Sequence, residues 1–553
     1  MRIYLIYIIF SLTTLSAQWS ATPEENLQVS TFGQNPVACS DGAGGAYAFW
    51  TTSNNLWGRR IDRYGYLTTD YIEIPGDGIR RSDPKLLSDG QNNVFVAYRE
   101  IVRIDTAEML NVWKLKVQKL DTLGHFLWDS AVVVSEDSLG HSSYEIVSDG
   151  AGGIILLWRS FIIDFDSLDY KTLRGQRLSA NGARLWGEEG ILIHYPLKLS
   201  SSLFAVITDG EGGVIAEYRE ESVTEPVFQR IEAGGQTVWR RYSEEAYEYL
   251  SINSGGCLML AGIRGSGQNR AIIANRMSLD GEFLWGEEGI IVVDSIENNS
   301  SLNSIAITED STLVVYWTER VEFHTDFSAY FQLIDKSGNV LLPSLGLQPS
   351  LLNSNTRGAG GIVLSDNNEF ILFFGEEREG FPVSSFVQKW NTDIEICWDI
   401  NDVHFSSYPV GYITLFSDGQ GGLIRVGSDQ PWNGIFAQQV NVNGNLGEII
   451  TAIDKPLPNN PTGYRLEPNY PNPFNPGTTI PISIEQAQDI TIDIINIAGQ
   501  RILTLYNGYL PRGYHRLYWN GKNSEEQEVA SGLYFVRVET GQTVHTGKML
   551  LLR

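Results

Sequence analysis

Five short loops pair an aspartate with a glycine, at Asp41, Asp89, Asp149, Asp209 and Asp418. A carboxylate in a glycine-rich loop invites a calcium reading. Calcium, however, takes about six to eight oxygens, and each loop offers a single carboxylate. The aspartates are therefore read as structural. Each carboxylate accepts bonds from N–H groups of its own turn while the glycines take positive φ, and calcium stays as the subordinate cofactor reading. Trp-Gly-Glu-Glu-Gly occurs at 186–190 and 285–289. Paired carboxylates can cleave glycosides, but only from two separated positions across a substrate. Adjacent glutamates in a glycine-flanked turn point to water, and Glu376, Glu377 and Glu379 are read the same way. The histidines (His125, His141, His194, His324, His404, His515, His545) form no H-E-x-x-H pair, and no G-x-S-x-G elbow occurs. Cys39, Cys257 and Cys397 are too widely spaced for a disulfide framework or a zinc site, and are read as small buried hydrophobes. No catalytic, cofactor-binding or metal-ligating residue is assigned. The enzyme question is left uncertain, leaning to no.

The elements that carry these residues repeat. SDGAGGAYAFW (40–50), SDGQNNVFVAY (88–98), SDGAGGIILLW (148–158), TDGEGGVIAEY (208–218) and SDGQGGLIRV (417–426) are copies of one loop and strand. Degenerate copies start at 253, 308 and 365. Each is followed by a second element such as GQRLSANGARLW (175–186) or ANRMSLDGEFLW (274–285), and both series number eight. The period is roughly 53 residues, near that of a four-stranded propeller blade. The fold class expected is all-β: a β-propeller of about eight four-stranded blades over 27–450, followed by an immunoglobulin-like β-sandwich. Seven blades with an N-terminal strand module, or two smaller propellers, remain open alternatives. Trp and Tyr closing the strands supply apolar faces on which blades stack, because one four-stranded sheet cannot bury both faces alone.

Residues 1–17 read as a secretory signal peptide, with Arg2 ahead of an apolar run and cleavage near Ala17/Gln18. The run is too short to span a bilayer, and no later segment qualifies as a transmembrane helix. The chain carries 66 acidic against 40 basic side chains, a net charge of −26. Residues 464–553 hold eight of each, and 18–463 keep 31 basic against 58 acidic, so the acidity belongs to the repeats. That disfavours nucleic acid and anionic surfaces, and leaves cations or neutral glycans as better-matched partners.

A Pro/Asn-rich linker at 451–465 opens the last domain, 466–553, where alternating stretches split by Gly and Asn turns predict an antiparallel sandwich. Its motifs are Tyr470-Pro471-Asn472-Pro473-Phe474-Asn475-Pro476, then Ala498-Gly499, Ser531-Gly532-Leu533-Tyr534 and Lys548-Met549. In that order they resemble the C-terminal sorting domain (type A, immunoglobulin-like) of type IX secretion cargo. The resemblance assigns sorting-motif roles to Asn472, Pro473, Phe474, Asn475, Pro476, Gly499, Gly532, Tyr534 and Lys548. It implies export, recognition by outer-membrane secretion machinery, and removal of the domain in many such proteins. The repeats are similar to those of bacterial surface propellers with a D-G-x-G-G/Q-R/W pattern, which implies a fold but no activity. Ser278–Trp285 is similar to the Asp-box of sialidase-like propellers, with Glu282 where that motif has glycine.

The expectation is thus a secreted or cell-surface propeller of a Gram-negative-type bacterium, a non-catalytic binding module for polysaccharide or protein. The alternative is a secreted carbohydrate-active hydrolase or lyase. Trp57, Trp113 and Trp432 are candidate sugar-stacking aromatics. Functional residues are expected where the repeats break, first near 253–262, 308–327 and 365–402, then in the inserts at 99–113 and 159–171.

Overall fold

The computed structural model describes residues 18–447 and 464–552, apart from 77, 106–109, 138–140, 165–166, 198–204, 221–222, 224, 267–268, 297–299, 321–326, 352–359, 367, 379–380, 399–400, 408–412, 429–433, 467–468, 470–471, 473, 485–487, 498, 511–512, 526 and 541–543. The expected signal peptide, most of the expected linker, Pro473, Glu379, His324 and Trp432 lie outside the described residues. The chain divides into two compact units, Met1–Glu448 and Ile449–Arg553. Both are all-β, with no helix among the described residues.

Among the described residues the first unit contains eight antiparallel sheets. In chain order the first seven occupy 34–73, 80–137, 141–197, 205–242, 249–296, 301–334 and 361–406. The eighth is built from 413–440 together with Leu27–Ser30, which pairs with Ile435–Val440 through Leu27↔Ala437. Strands from the two ends of the unit therefore share one sheet. The first strands of the sheets neighbour one another in order. Ile413–Ser417 of the eighth lies beside Gln34–Ser40 of the first, so the order returns on itself. The sixth sheet has three strands, and its fourth is reduced to the isolated bridge Phe331↔Leu347.

The second strand of each sheet is buried on both faces, as in Ala46–Thr51 (AYAFWT), where every residue is buried. Such a strand reads as a continuous apolar run, because a neighbouring sheet covers each face. One apolar cluster fills each junction. Ile155 and Leu157 of the third sheet meet Val214, Ala216 and Tyr218 of the fourth; Ile424 and Val426 of the eighth meet Ala46, Ala48 and Trp50 of the first. Trp50, Trp158 and Trp317 are fully buried, each worth about 2–3 kcal/mol in apolar burial. Outer strands alternate instead, as Thr237–Tyr242 does.

In the third sheet, Ala183–Trp186 does not form the fourth strand. Arg184 bridges Leu178, the Gly187–Gly190 turn follows, and the strand is Ile191–Leu197.

In the second unit, Tyr464–Leu466, Thr478–Ile484 and Gly513–Trp519 form one sheet. The other runs in the order Arg501–Leu510, Gln488–Asn496, Gly532–Thr540, Val544–Leu551. Ile480, Ile482, Ile492, Ile494, Val536, Val538 and Met549 join the core between them.

Candidate functional site

The repeated aspartates sit in one geometry. Asp149 Oδ1 accepts from the backbone N–H of Ala151 (2.8 Å) and Gly153 (2.7 Å), and its Oδ2 accepts from Arg177 Nε at 3.0 Å. Asp41 and Asp209 repeat this with Arg60 and Arg230, Asp89 with Lys119, and Asp418 with Gln439. In the degenerate fifth copy Asn253 takes the loop role, accepting from Gly255 and Cys257. Each carboxylate thus has one oxygen on its own turn and the other on the third strand. The cation then reaches the next sheet: Arg177 Nη1 donates to Ala233 O (2.9 Å) and Arg230 Nη1 to Leu279 O (3.2 Å). The tryptophan after the second turn donates to the same carbonyls, Trp186 to Ala233 (3.0 Å) and Trp239 to Leu279 (2.7 Å).

At the opposite end of the second strand the repeats carry charge. Ten residues after the loop aspartate stand Arg99, Arg159 and Arg219, in equal register on the second, third and fourth sheets. Arg99 pairs with Asp83. Arg159 donates twice to Ser143 Oγ, at 2.9 and 2.6 Å. Lys85 and Glu145, at 2.6 Å, tie the second sheet's first strand to the third's. Burial lowers the pKa of Arg99 and Arg159, partly offset by Tyr144 and Glu145 respectively.

The sharpest break from the repeat is Glu217. Its register position holds Phe49, Ala97, Leu157, Ala261, Tyr316, Phe373 and Val426 in the other sheets. The Glu217 side chain faces the fifth sheet and is 3% exposed; burial pushes its pKa up to about 8, against the backbone N–H of Tyr247 and the charge of Arg219. Glu248, at the start of the fifth sheet, is raised too by desolvation, with Arg270 and Arg219 opposing. Burial thus favours the protonated form of the Glu217 carboxyl.

The same strand end turns Tyr218 and Glu220 the other way, towards the third sheet. His194 stacks on Tyr218 with ring centroids 5.3 Å apart, and its Nδ1 lies 3.7 Å from Glu220 Oε1. Arg240 pairs with Glu220, and its Nε donates to Tyr218 OH at 3.2 Å. Tyr218 OH donates to Gln229 Oε1 (2.6 Å), and Tyr242 OH to Glu220 Oε2 (3.4 Å). Glu220 is buried, and Arg240 and Tyr242 are exposed. Burial raises the Tyr218 phenol, with Arg240 opposing. This rim between the third and fourth sheets combines an accessible ring with convergent donors and acceptors. It lies outside the segments expected to break the repeat. Glu217, the acid that stands out when the eight strands are aligned, lies on the same strand but faces the other junction.

The remaining expected residues fall elsewhere. Glu188, Glu189, Glu287 and Glu288 are exposed and make surface ion pairs with Arg184, Arg174, Arg241 and Arg264. Glu376 pairs with Arg378, which also holds Asp402 and lies over Phe386 at 3.7 Å. The cysteines do not share one environment: Cys257 is buried, Cys39 is intermediate with its thiol raised by burial, and Cys397 is exposed. Trp57 packs edge-on against Phe32 at 6.0 Å, and Trp113 lies under Arg99 at 5.2 Å.

In the second unit Phe474 is buried against Trp519 (5.5 Å), which meets Tyr534 at 5.2 Å. The Asn472 side chain accepts from Leu550 N (2.8 Å) and donates to Lys548 O (3.2 Å). Gly499 (φ +77) turns the hairpin after Asn496, and Gly532 has φ +155. Asn475, Pro476 and Lys548 are exposed.

Residues 475–543 match the FlgD Ig-like domain, so this part of the chain is an immunoglobulin-like domain. No curated protein matches the sequence. Among solved structures, prolyl oligopeptidase B from Galerina marginata is 10% identical at a TM-score of 0.38; the match covers 84% of this chain, which spans 57% of that protein's length. Polysaccharide lyase Uly1 is 8% identical over 77% of this chain and 91% of that one, at a TM-score of 0.37. PorZ, a surface component of the type IX secretion system of Porphyromonas gingivalis, is 10% identical over 97% of this chain and 100% of its own, at a TM-score of 0.21.

Proposed function

We propose that the first unit is an eight-bladed β-propeller serving as a non-catalytic binding module for polysaccharide or protein, at the cell surface or in the medium of a Gram-negative-type bacterium. The C-terminal immunoglobulin-like domain is its address, read by the outer-membrane machinery of a type IX-like secretion system. The observation that carries the binding reading is the commitment of the recurrent side chains. Aspartate, third-strand cation and tryptophan are spent on turns and on the next sheet, which leaves a rigid frame whose variable positions are free to recognise a ligand. The order of the motifs from Asn472 to Lys548 supports the address.

A hydrolase or lyase is the second reading, and the raised carboxyls of Glu217 and Glu248 are what favour it. It is the weaker one, since Glu217 is 3% exposed and a general acid must reach the bond it protonates.

Mature chain from residue 18 to 553, probed on glycan and bacterial surface-protein arrays, is expected to retain specific ligands without consuming them. Turnover of a polysaccharide would replace the binding reading with the enzymatic one, and the absence of any ligand would remove both.

A further inference from the structure

The exposed rim between the third and fourth sheets differs in one respect from two buried carboxylate clusters of the first unit. Buried Glu100 is closed in by Arg81 and Lys116, and Glu376 by Arg378. Around Glu220 the cluster instead opens on a ring: Tyr242 is 48% exposed, with the Arg240 guanidinium 5.2 Å from its centroid. Beside that ring lie the Glu220 carboxylate, the His194 imidazole and the Arg240 guanidinium, a mixed set of acceptors and donors.

We propose that Tyr242, Arg240, Glu220 and His194 form a subsite for one neutral sugar ring. The Tyr242 face stacks on the apolar face of the sugar, and adjacent hydroxyls exchange bonds with the Glu220 carboxylate, His194 and the Arg240 guanidinium. A hydroxyl both gives and accepts a hydrogen bond, which suits a mixed edge. The Arg240–Glu220 pair cancels its own charge, and 58 acidic against 31 basic side chains over 18–463 disfavour polyanions. Tyrosine supplies such a platform at low entropic cost, with an apolar face and a polar tip.

The subsite rests on the polysaccharide branch of the proposed function. Its test is titration calorimetry of the mature full chain with neutral oligosaccharides of glucose, mannose and xylose, and with uronic acid oligosaccharides for comparison. A neutral oligosaccharide is expected to bind. Tyr242→Ala should weaken it at least 10-fold, and Tyr242→Phe, which keeps the platform, by less than 3-fold. Tyr71→Ala, at an exposed ring on the first sheet, should leave it unchanged. Thermal unfolding of each variant separates lost recognition from lost fold. Neutral sugar binding that survives Tyr242→Ala overturns the subsite and leaves the binding module standing. Binding of uronic acid oligosaccharides alone, or of none of the panel, also overturns it. A protein ligand found on the arrays would then still support the module.

Discussion

Trp19 Nε1 donates to the carbonyl of Arg63 at 2.9 Å. It is the same bond that Trp186 makes to Ala233 and Trp398 to Val442 (2.8 Å), except that here the tryptophan comes from the start of the chain. The eighth unit carries Glu448 where other units carry this tryptophan, and Trp19, 3% exposed, takes the seat. Gln438 donates to Thr22 O at 3.2 Å and Ser407 N to Pro23 O at 2.8 Å, fastening the same segment.

Trp19→Ala should therefore cost about 3–5 kcal/mol, as for loss of a buried tryptophan. A drop in the chemical-denaturation midpoint of the first unit measures it. A change below about 0.5 kcal/mol would show that the seam does not depend on this side chain.

Asp149→Asn leaves Arg177 facing a neutral amide in a buried setting. Breaking one half of such a pair costs about 3–5 kcal/mol. Asp335→Asn, in an exposed turn with no cation partner among its bonds, should cost much less, and urea unfolding of the two variants compares them.

Glu217 is raised from 4.5 to about 8 in the folded protein. Because the folded state holds this proton more tightly than the unfolded chain, its contribution to stability is most favourable below pH 4.5. It is lost progressively as pH rises towards 8, and then levels off. Glu217→Gln should remove that slope, so the stability difference between variant and wild type grows in the variant's favour from pH 5 to 8. A difference flat across that range would refute the assignment.

At the fifth sheet, Gly262 stands where other units have Trp50, Tyr98, Trp158 or Trp317. A Cβ there would lie 2.2 Å from Ala246 O, and buried Tyr247 fills the space, its OH accepting from Asn275 at 3.2 Å. Gly262→Ala is expected to destabilise by forcing the 246–247 backbone away. Tyr247→Ala should cost about 3–5 kcal/mol by leaving a cavity. Thermal melts of both are the measurement.

Lys548 is exposed in the last strand, so Lys548→Ala should leave folding unchanged within about 0.5 kcal/mol. If the sorting proposal holds, the same substitution lowers delivery to the surface, scored by fractionation with the ring intact. Unaltered delivery would mean that this lysine is no part of the address.

Much of the frame was legible because its physics is local. An Asp-Gly turn, an apolar run and a tryptophan at fixed spacing recur whenever one unit must cover the next. Glu217 is hard to find from sequence because it stands inside a strand whose opening turn, TDGEGG, is regular, whereas other breaks announce themselves through decayed turns. Trp19 escaped for a different reason. Its role depends on residues more than 400 positions away in sequence, and no local pattern carries that information. Cys397 was expected to be buried, yet it occupies the outward position held by Leu127, Leu185 and Leu284, all exposed.

Because the eighth sheet takes one strand from each end of its unit, closure has an order in time. The strand Leu27–Ser30 has no seat until Ile435–Val440 exists, so the unit's first strand waits for its last repeat. An unfinished chain is an open stack with two raw apolar faces. Pairing of the eighth sheet with Leu27–Ser30, beside the first sheet, covers both at once. The seam makes assembly of the first unit a single latching event.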